Sequence, residues 1–379
     1  MRSLSRAEFA ALLAGVPFVG ATAIRAAAAQ GLSRSKREAI ENILRQLVRT
    51  SAVPGVSYSI GDAHEMLAEG AFGLRSVTPA LPMDPETHCA LASVSKQFTA
   101  AAIFLLHERG AVSIQAPVAT YVPEYKYGHQ MTVAQLLTMR AGVAADDETC
   151  EKAIGGKIDD STLIANLNHA PLDFAPGRYF AYTNCGYDLL SVIVARVSHM
   201  SYSSFIEANI FRPLGMSSSY VLGERADDNF AHGYAREANT WKKESFTAAD
   251  AAFGSGNLVS TPADMQRWDR SLLNATLLRR ATLNIMFTVP TASGSAHTHY
   301  ASGWFVEPSG AIWHGGTLAG YGTANLLIPR TGHAVTILSN SQPTKNWKPE
   351  EVAREIYNAS GLGPALPPFQ RRVRTTKPS

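Results

Sequence analysis

The order of apolar and polar positions divides the chain into three unequal stretches. Ile40, Ile43, Leu44, Leu47 and Val48 recur at helical spacing inside a charged segment, which predicts an amphipathic helix over about 35–49. Two strands are expected at 56–60 and 66–72, parted by Gly61-Asp62. From Ala90 to about Leu278 helical patterns dominate, at 93–108, 133–140, 161–167, 187–197, 203–210 and 262–273. Thr261 reads as an N-cap with Pro262 at the first helical position, and Gly110 closes the helix that begins at Ser93. Strands return at 301–306, 311–314, 323–328 and 334–338, with turns at Pro308-Ser309-Gly310 and Pro329-Arg330-Thr331-Gly332, and a last helix covers 349–358.

That order implies an α+β fold, in which one antiparallel sheet is built from both chain ends and flanked by helices, with a mostly α-helical insert. The sheet part spans about 35–88 plus 295–360 and the insert about 89–294 of a single domain over 30–360. The seam between them is the natural place for a cleft.

Composition adds an N-terminal feature that the periodicity does not explain. Arg2 and Arg6 precede an apolar run from Phe9 to Ile24, and alanines end in Ala27-Ala28-Ala29, the layout of a secretory signal over 1–29. The run is short for a membrane span and is interrupted by Gly15, Pro17 and Gly20, so no stable span is expected after its removal. Ser5-Arg6-Ala7-Glu8-Phe9 lacks the second arginine of a twin-arginine signal. Export to a bacterial periplasm or medium is the expectation. Losing Arg2, Arg6, Arg25 and Glu8 lowers the formal charge from +3 to +1, so the mature chain is near neutral and nucleic acid is not an expected partner. Arg371, Arg372, Arg374 and Lys377 form a basic C-terminal tail over 361–379. Cys89, Cys150 and Cys185 allow one bridge and leave one thiol, without fixing which pair closes.

A serine hydroxyl needs a base within hydrogen-bond reach. Ser93 and Lys96 in Ser93-Val94-Ser95-Lys96 lie three apart, on one face of a predicted helix whose continuation, Phe98 to Leu106, is apolar nearly all round. A lysine buried there tends to lose its proton. A second copy, Ser33-Arg34-Ser35-Lys36, opens a charged, exposed helix and reads as a cap. Tyr182-Thr183-Asn184 follows Pro176-Gly177 and precedes a helix. The tyrosine can shuttle a proton near a lysine and the asparagine can hold a carbonyl; the plainer alternative is a core tyrosine with Asn184 as helix cap, and for Asn184 the two roles are compatible. Trp313-His314-Gly315-Gly316-Thr317 ends a late strand, where glycines let a substrate approach the backbone and a strand-edge amide can complete an oxyanion hole. The plainer alternative is a hairpin turn with an incidental histidine.

Ser-Val-Ser-Lys, Tyr-x-Asn and His-Gly-Gly, in this order, resemble the active-site motifs of the β-lactamase-related serine hydrolases, among them class C β-lactamases, D,D-peptidases, D-aminopeptidases and esterases. Met131-Thr132-Val133-Ala134-Gln135-Leu136-Leu137-Thr138, Pro176-Gly177-Arg178-Tyr179-Phe180, Phe211-Arg212-Pro213-Leu214-Gly215-Met216 and the stretch from Gly256 to Met265 resemble further landmarks, so the likeness runs from about Arg37 to Asn358. It implies a β-lactamase/transpeptidase-like fold, Ser93 as acylated nucleophile, and Lys96 and Tyr182 sharing proton transfer. It further implies Asn184 on the substrate amide, and His314, Gly315, Gly316 and Thr317 as substrate-binding positions, with the amides of Ser93 and Thr317 as the oxyanion hole. His314 stands where β-lactamases of this type carry lysine; a histidine is mostly neutral at pH 7, which favours ester or peptide substrates over β-lactams.

Three functions follow. One is an esterase or D-stereospecific peptidase acting through an acyl-enzyme, the second a β-lactamase, and the third an idle binding protein on the same fold. The partner is accordingly a small ester, peptide or β-lactam. The chain has no Gly-x-Ser-x-Gly, no paired-histidine zinc motif after His64-Glu65 and no phosphate-binding Gly-x-x-x-x-Gly-Lys, so neither cofactor nor metal is implied.

Overall fold

The structure, a computed structural model, describes residues 31–144, 150, 159–224, 227–238, 240–244, 253–290 and 300–368. The proposed signal and the basic cluster from Arg371 onward lie outside them. In chain order the main elements are helix α1 (Arg34–Arg49), strands β1 (Gly55–Asp62), β2 (Met66–Ser76), β3 (Leu81–Pro82) and β4 (Cys89–Ala90), then α2 (Lys96–Glu108), α3 (Val133–Leu137), α4 (Asp160–His169), α5 (Asn184–Ser198), α6 (Tyr202–Ile206) and α7 (Arg212–Leu214). After them come β5 (Tyr220–Val221), β6 (Tyr234–Glu237), β7 (Thr240–Lys243), α8 (Phe253–Gly256), β8 (Leu258–Ser260), α9 (Pro262–Asn274) and α10 (Arg280–Met286). Strands β9 (Phe305–Val306), β10 (Ile312–Leu318), β11 (Tyr321–Ile328) and β12 (His333–Ser339) lead into α11 (Pro349–Ser360).

The main sheet has seven strands in the order β3-β2-β1-β12-β11-β10-β9, and its paired strands run antiparallel. Strand β1 therefore lies between β2 and β12, so both chain ends do build one sheet. The alternation in Val56, Ser57, Tyr58, Ser59, Ile60 explains its two faces. Val56, Tyr58 and Ile60 join Ile40, Leu44, Val352 and Ile356 of α1 and α11 in one core. The opposite face, carrying Ser57, Ser59, Thr323, Asn325 and Thr336, is buried but polar and looks toward α9 and α2.

A network satisfies part of that polar face, leaving Ser57 Oγ without a hydrogen-bond partner. Asn325 donates to Asp269 at 2.8 Å and to Gln97 at 3.1 Å, Trp268 Nε1 donates to Gln97 at 3.0 Å, and Thr336 donates to Asn325 at 3.2 Å. Burial pushes the Asp269 carboxyl up to about 8, so it is held protonated in the sheet core at neutral pH.

Several expectations need correction. The insert is mostly helical, as expected, but β4, β8 and β5 within it form a small three-stranded sheet and β6 and β7 a hairpin that the sequence pattern does not announce. The strand expected over 301–306 shrinks to β9, because residues 301–304 close a turn in which Ala301 N donates to Trp304 O at 2.8 Å. Gly303 takes φ +82° there and packs so closely on α2 that a Cβ would lie 2.8 Å from Lys96 O. The tail does not leave the domain at residue 361, since Leu366 folds back on α11 and exchanges hydrogen bonds with Asn358 at 2.8 and 3.1 Å. Cys150 and Cys185 form a disulfide, and Cys89 is the free, buried thiol. Ser33 caps α1 through Lys36 N at 3.5 Å, as expected of the second Ser-x-x-Lys. Among the described residues no single helix is long and apolar enough to cross a membrane.

Candidate active site

Ser93 sits on an irregular turn, not within the regular helix expected over 93–108. Residues Ala92–Ser95 form one 3-10 turn that feeds α2, and Ala92 takes φ +49°. Such a left-handed alanine costs on the order of 1–3 kcal/mol, so its surroundings must enforce it. They do so from two sides. Ser95 Oγ accepts from Leu258 N at 3.1 Å, while Thr323 Oγ1 donates to Leu91 O at 2.7 Å. The turn is thereby pinned between β8 and β11, with Ser93 half-buried at its surface.

Lys96, the first residue of α2, is fully buried. Its Nζ lies 3.1 Å from Ser93 Oγ, 2.6 Å from Asn184 Oδ1 and 2.8 Å from Ser255 O. The last two partners only accept. As an ammonium, Lys96 donates to all three; as a neutral amine, it keeps those two bonds and turns its lone pair to the Ser93 hydroxyl. One cage thus fits both protonation states, and a single hydrogen on the Ser93–Lys96 line changes owner between them. The ring of Tyr182 lies 5.0 Å from Nζ and that of Tyr187 5.9 Å, aromatic faces that favour the cation.

Asn184 opens α5, but Thr183 takes its N-cap position and donates its hydroxyl to Ala144 O at 2.7 Å. Asn184 is therefore a lysine ligand and not a cap. Its neighbour Cys185 ties this end of α5 to residue 150 through the disulfide.

His314, Gly315, Gly316 and Thr317 lie inside β10, which continues to Leu318, so the hairpin alternative is excluded. Strand β9 pairs only with Ile312 and Trp313, and beyond them the edge of β10 packs against the Ser93 turn. A Cβ on Gly316 would fall 2.4 Å from Leu91 O and 2.3 Å from Thr323 Oγ1, whereas one on Gly315 would meet nothing nearer than 3.6 Å. Close approach of strand and turn is what requires the second glycine. Thr317, the next residue, is exposed.

His314 is buried, and its Nδ1 is 2.7 Å from Gly315 O. A carbonyl only accepts, so Nδ1 carries the proton, and Nε2 accepts from Tyr300 OH at 3.2 Å. Burial, and then the charge of Lys96, pushes the imidazole down to about 3. Both ring nitrogens are engaged within the protein and the ring is neutral across the physiological range.

The structure thus brings Ser93, Lys96, Tyr182, Asn184 and the 314–317 strand together at the seam. Two contributors escaped the sequence reading. Ser255 acts through its carbonyl, which has no side-chain signature, although Gly254 and Gly256 on either side hint at a close backbone approach. A Cβ on Gly254 would lie 2.7 Å from Ser191 Cβ. Ala92 acts through its φ alone. Among the described residues no cluster of three or more His, Cys, Asp or Glu is arranged to hold a metal ion.

The family profile described as Beta-lactamase matches residues 40–358. The chain is 26% identical over 327 residues to Protein flp of Staphylococcus aureus (strain NCTC 8325 / PS 47), covering 82% of this chain but only 64% of that protein's length. Among solved structures, the octameric penicillin-binding protein homologue from Pyrococcus abyssi superposes with a TM-score of 0.74 at 26% identity, over 86% of this chain and 77% of that one. The D-amino acid amidase from Ochrobactrum anthropi SV3, complexed with D-phenylalanine, shares the fold with a TM-score of 0.76 at 22% identity, over 86% and 98%.

Proposed function

We propose that this chain, which belongs to the beta-lactamase family of serine hydrolases, forms an acyl-enzyme on Ser93 and hydrolyses an ester or amide, as an esterase or D-stereospecific peptidase. The observation that carries the reading is the Lys96 cage, in which one Nζ joins Ser93 Oγ, Asn184 Oδ1 and Ser255 O.

In the reaction, neutral Lys96 takes the Ser93 proton as Oγ attacks the substrate carbonyl. The Ser93 and Thr317 amides receive the developing oxyanion. Tyr182, its ring against Lys96, passes a proton to the departing alcohol or amine, and the acyl group stays on Oγ. Water then attacks the ester, gives up a proton to the same pair, and releases the acid with Ser93 restored. Asn184 spends Oδ1 on Lys96 and offers Nδ2 to the substrate carbonyl.

The buried, neutral His314 supports esters and peptides over β-lactams, because it supplies no cation for a substrate carboxylate. A β-lactamase remains the second reading, since the name of the Pyrococcus relative makes penicillin a natural probe. We also place the enzyme outside the cytoplasm. The N-terminal signal pattern supports this, and so does a disulfide in a chain with three cysteines.

Intact-mass spectrometry after exposure to a fluorophosphonate and, separately, to a penicillin tests the reading. One adduct mapped to Ser93 is expected with the fluorophosphonate, and Ser93→Ala removes it with the melting temperature kept. A penicillin adduct that turns over rapidly selects the β-lactamase instead. No adduct with either reagent leaves the idle binding protein.

A further inference from the structure

A buried carboxylate lies directly behind the lysine cage. Asp188 stands four residues after Asn184 on α5, so both occupy one face of that helix, and it is fully buried. Its Oδ1 accepts from Ser255 N at 3.0 Å, while Ser255 O accepts from Lys96 Nζ at 2.8 Å. The backbone of one residue, Ser255, therefore links carboxylate and lysine, through its N–H on one side and its carbonyl on the other. The segment cannot slide, because Thr99 Oγ1 also donates to Gly254 O and Gly254 packs against Ser191 and Tyr187 of α5.

We propose that Asp188 is a positioning residue and buried counter-charge for Lys96, fixing the Ser255 carbonyl on Nζ and favouring the ammonium that forms when Lys96 takes the Ser93 proton. The inference rests on Lys96 being the base for Ser93. Carboxylate and ammonium are thus separated by the backbone of one residue and two hydrogen bonds. An opposite charge at that remove, in a buried site, favours the ammonium over the amine. Other titratable groups around the pair do not compete between pH 5 and 9. Burial raises the phenols of Tyr187, Tyr202 and Tyr300, with the Asp188 charge adding to the effect on Tyr202. His314 stays neutral, and Cys150, 4.0 Å from Asp188 Oδ2, is held in its disulfide. Tyr182 faces Lys96 and is unchanged in every comparison below.

The test is the second-order rate of Ser93 labelling by a fluorophosphonate from pH 5 to 10, in wild type, Asp188→Asn and Asp188→Glu. Asparagine keeps an oxygen for Ser255 N but removes the charge, so the acidic limb is expected to move about one unit lower. Glutamate is expected to return the limb to its wild-type position even where the absolute rate falls. A limb unmoved in a cooperatively melting Asp188→Asn, with the rate reduced by one factor at every pH, would overturn the counter-charge. If Asp188→Asn does not melt cooperatively, Asp188→Ser reads the same limb with a smaller side chain. Ser93→Ala separates the two levels: labelling that survives it overturns the assignment of Ser93 itself, whereas lost labelling with an unmoved limb overturns only the role of Asp188.

Discussion

The glycine pair of β10 permits a prediction whose size can be worked from the coordinates. Adding a methyl group at Gly316 puts Cβ 2.4 Å from Leu91 O and 2.3 Å from Thr323 Oγ1, and 3.0 Å from Ala92 Cβ. Contacts of that length do not occur, so β10 and the Ser93 turn must part by at least roughly 0.6 Å. Neither can yield cheaply, because the Leu91 carbonyl is itself held by Thr323 at 2.7 Å and β10 is held by β11. A displacement approaching 1 Å between nucleophile and oxyanion donors costs about 100-fold in rate, and overpacking of this kind costs about 1–3 kcal/mol of stability. Gly315, one residue earlier, meets only ordinary contacts from 3.6 Å outward. Gly315→Ala should therefore stay within a few-fold of wild type in ester hydrolysis and fluorophosphonate labelling, while Gly316→Ala loses about two orders of magnitude with a modest fall in melting temperature. Equal losses in the two variants, or a fully active Gly316→Ala, would refute the claim that close approach of strand and turn builds the site.

Stability should depend on pH through two groups of opposite sense. The protonated Asp269 favours the fold in acid and loses that advantage as pH rises from the usual carboxylate range to about 8, while neutral His314 loses its contribution as pH falls from 6.5 towards 3. Of the two, only Asp269 acts between pH 6.5 and 8, with a slope of at most about 1.4 kcal/mol per unit, and melting curves of Asp269→Asn should be flatter there than those of wild type. Reducing the Cys150–Cys185 bridge, whose sequence separation is 35, should lower stability by about 2–4 kcal/mol in denaturant titrations. Ser33→Ala should weaken α1 by about 1 kcal/mol and leave Ser93 labelling untouched, because this Ser-x-x-Lys is only a cap.

Where periodicity and side-chain chemistry coincide, the sequence reading placed elements well. The helix of Asn184, the strands around β1 and the pairing of Ser93 with Lys96 all follow from spacing and residue type. What escaped was carried by backbone. The 3-10 turn at Ala92–Ser95 depends on a φ enforced by β8 and β11, which no local pattern encodes. The turn at 301–304 reads as strand because it runs directly into the apolar Trp304, Phe305 and Val306, and only the proximity of Lys96 O explains Gly303. The small sheet of β4, β8 and β5 joins runs of two or three residues from distant parts of the chain, too short to show alternation. The burial of Asp269 against the polar face of the main sheet is set by the tertiary arrangement and by no local pattern.

The position of β1 between β2 and β12 also sets an order of assembly. A chain emerging from its N-terminus acquires β2 beside β1 almost at once, but the other edge of β1 stays open until His333–Ser339 arrives. Through most of synthesis that edge offers unpaired amides and carbonyls, the template on which unfinished chains associate. Ser93, Lys96, Tyr182 and Asn184 are all present long before β10 reaches the turn they share. Hydrolytic competence is therefore a property of the finished polypeptide, and a chain truncated before Ile312 would hold the nucleophile and its base without the strand that completes their site.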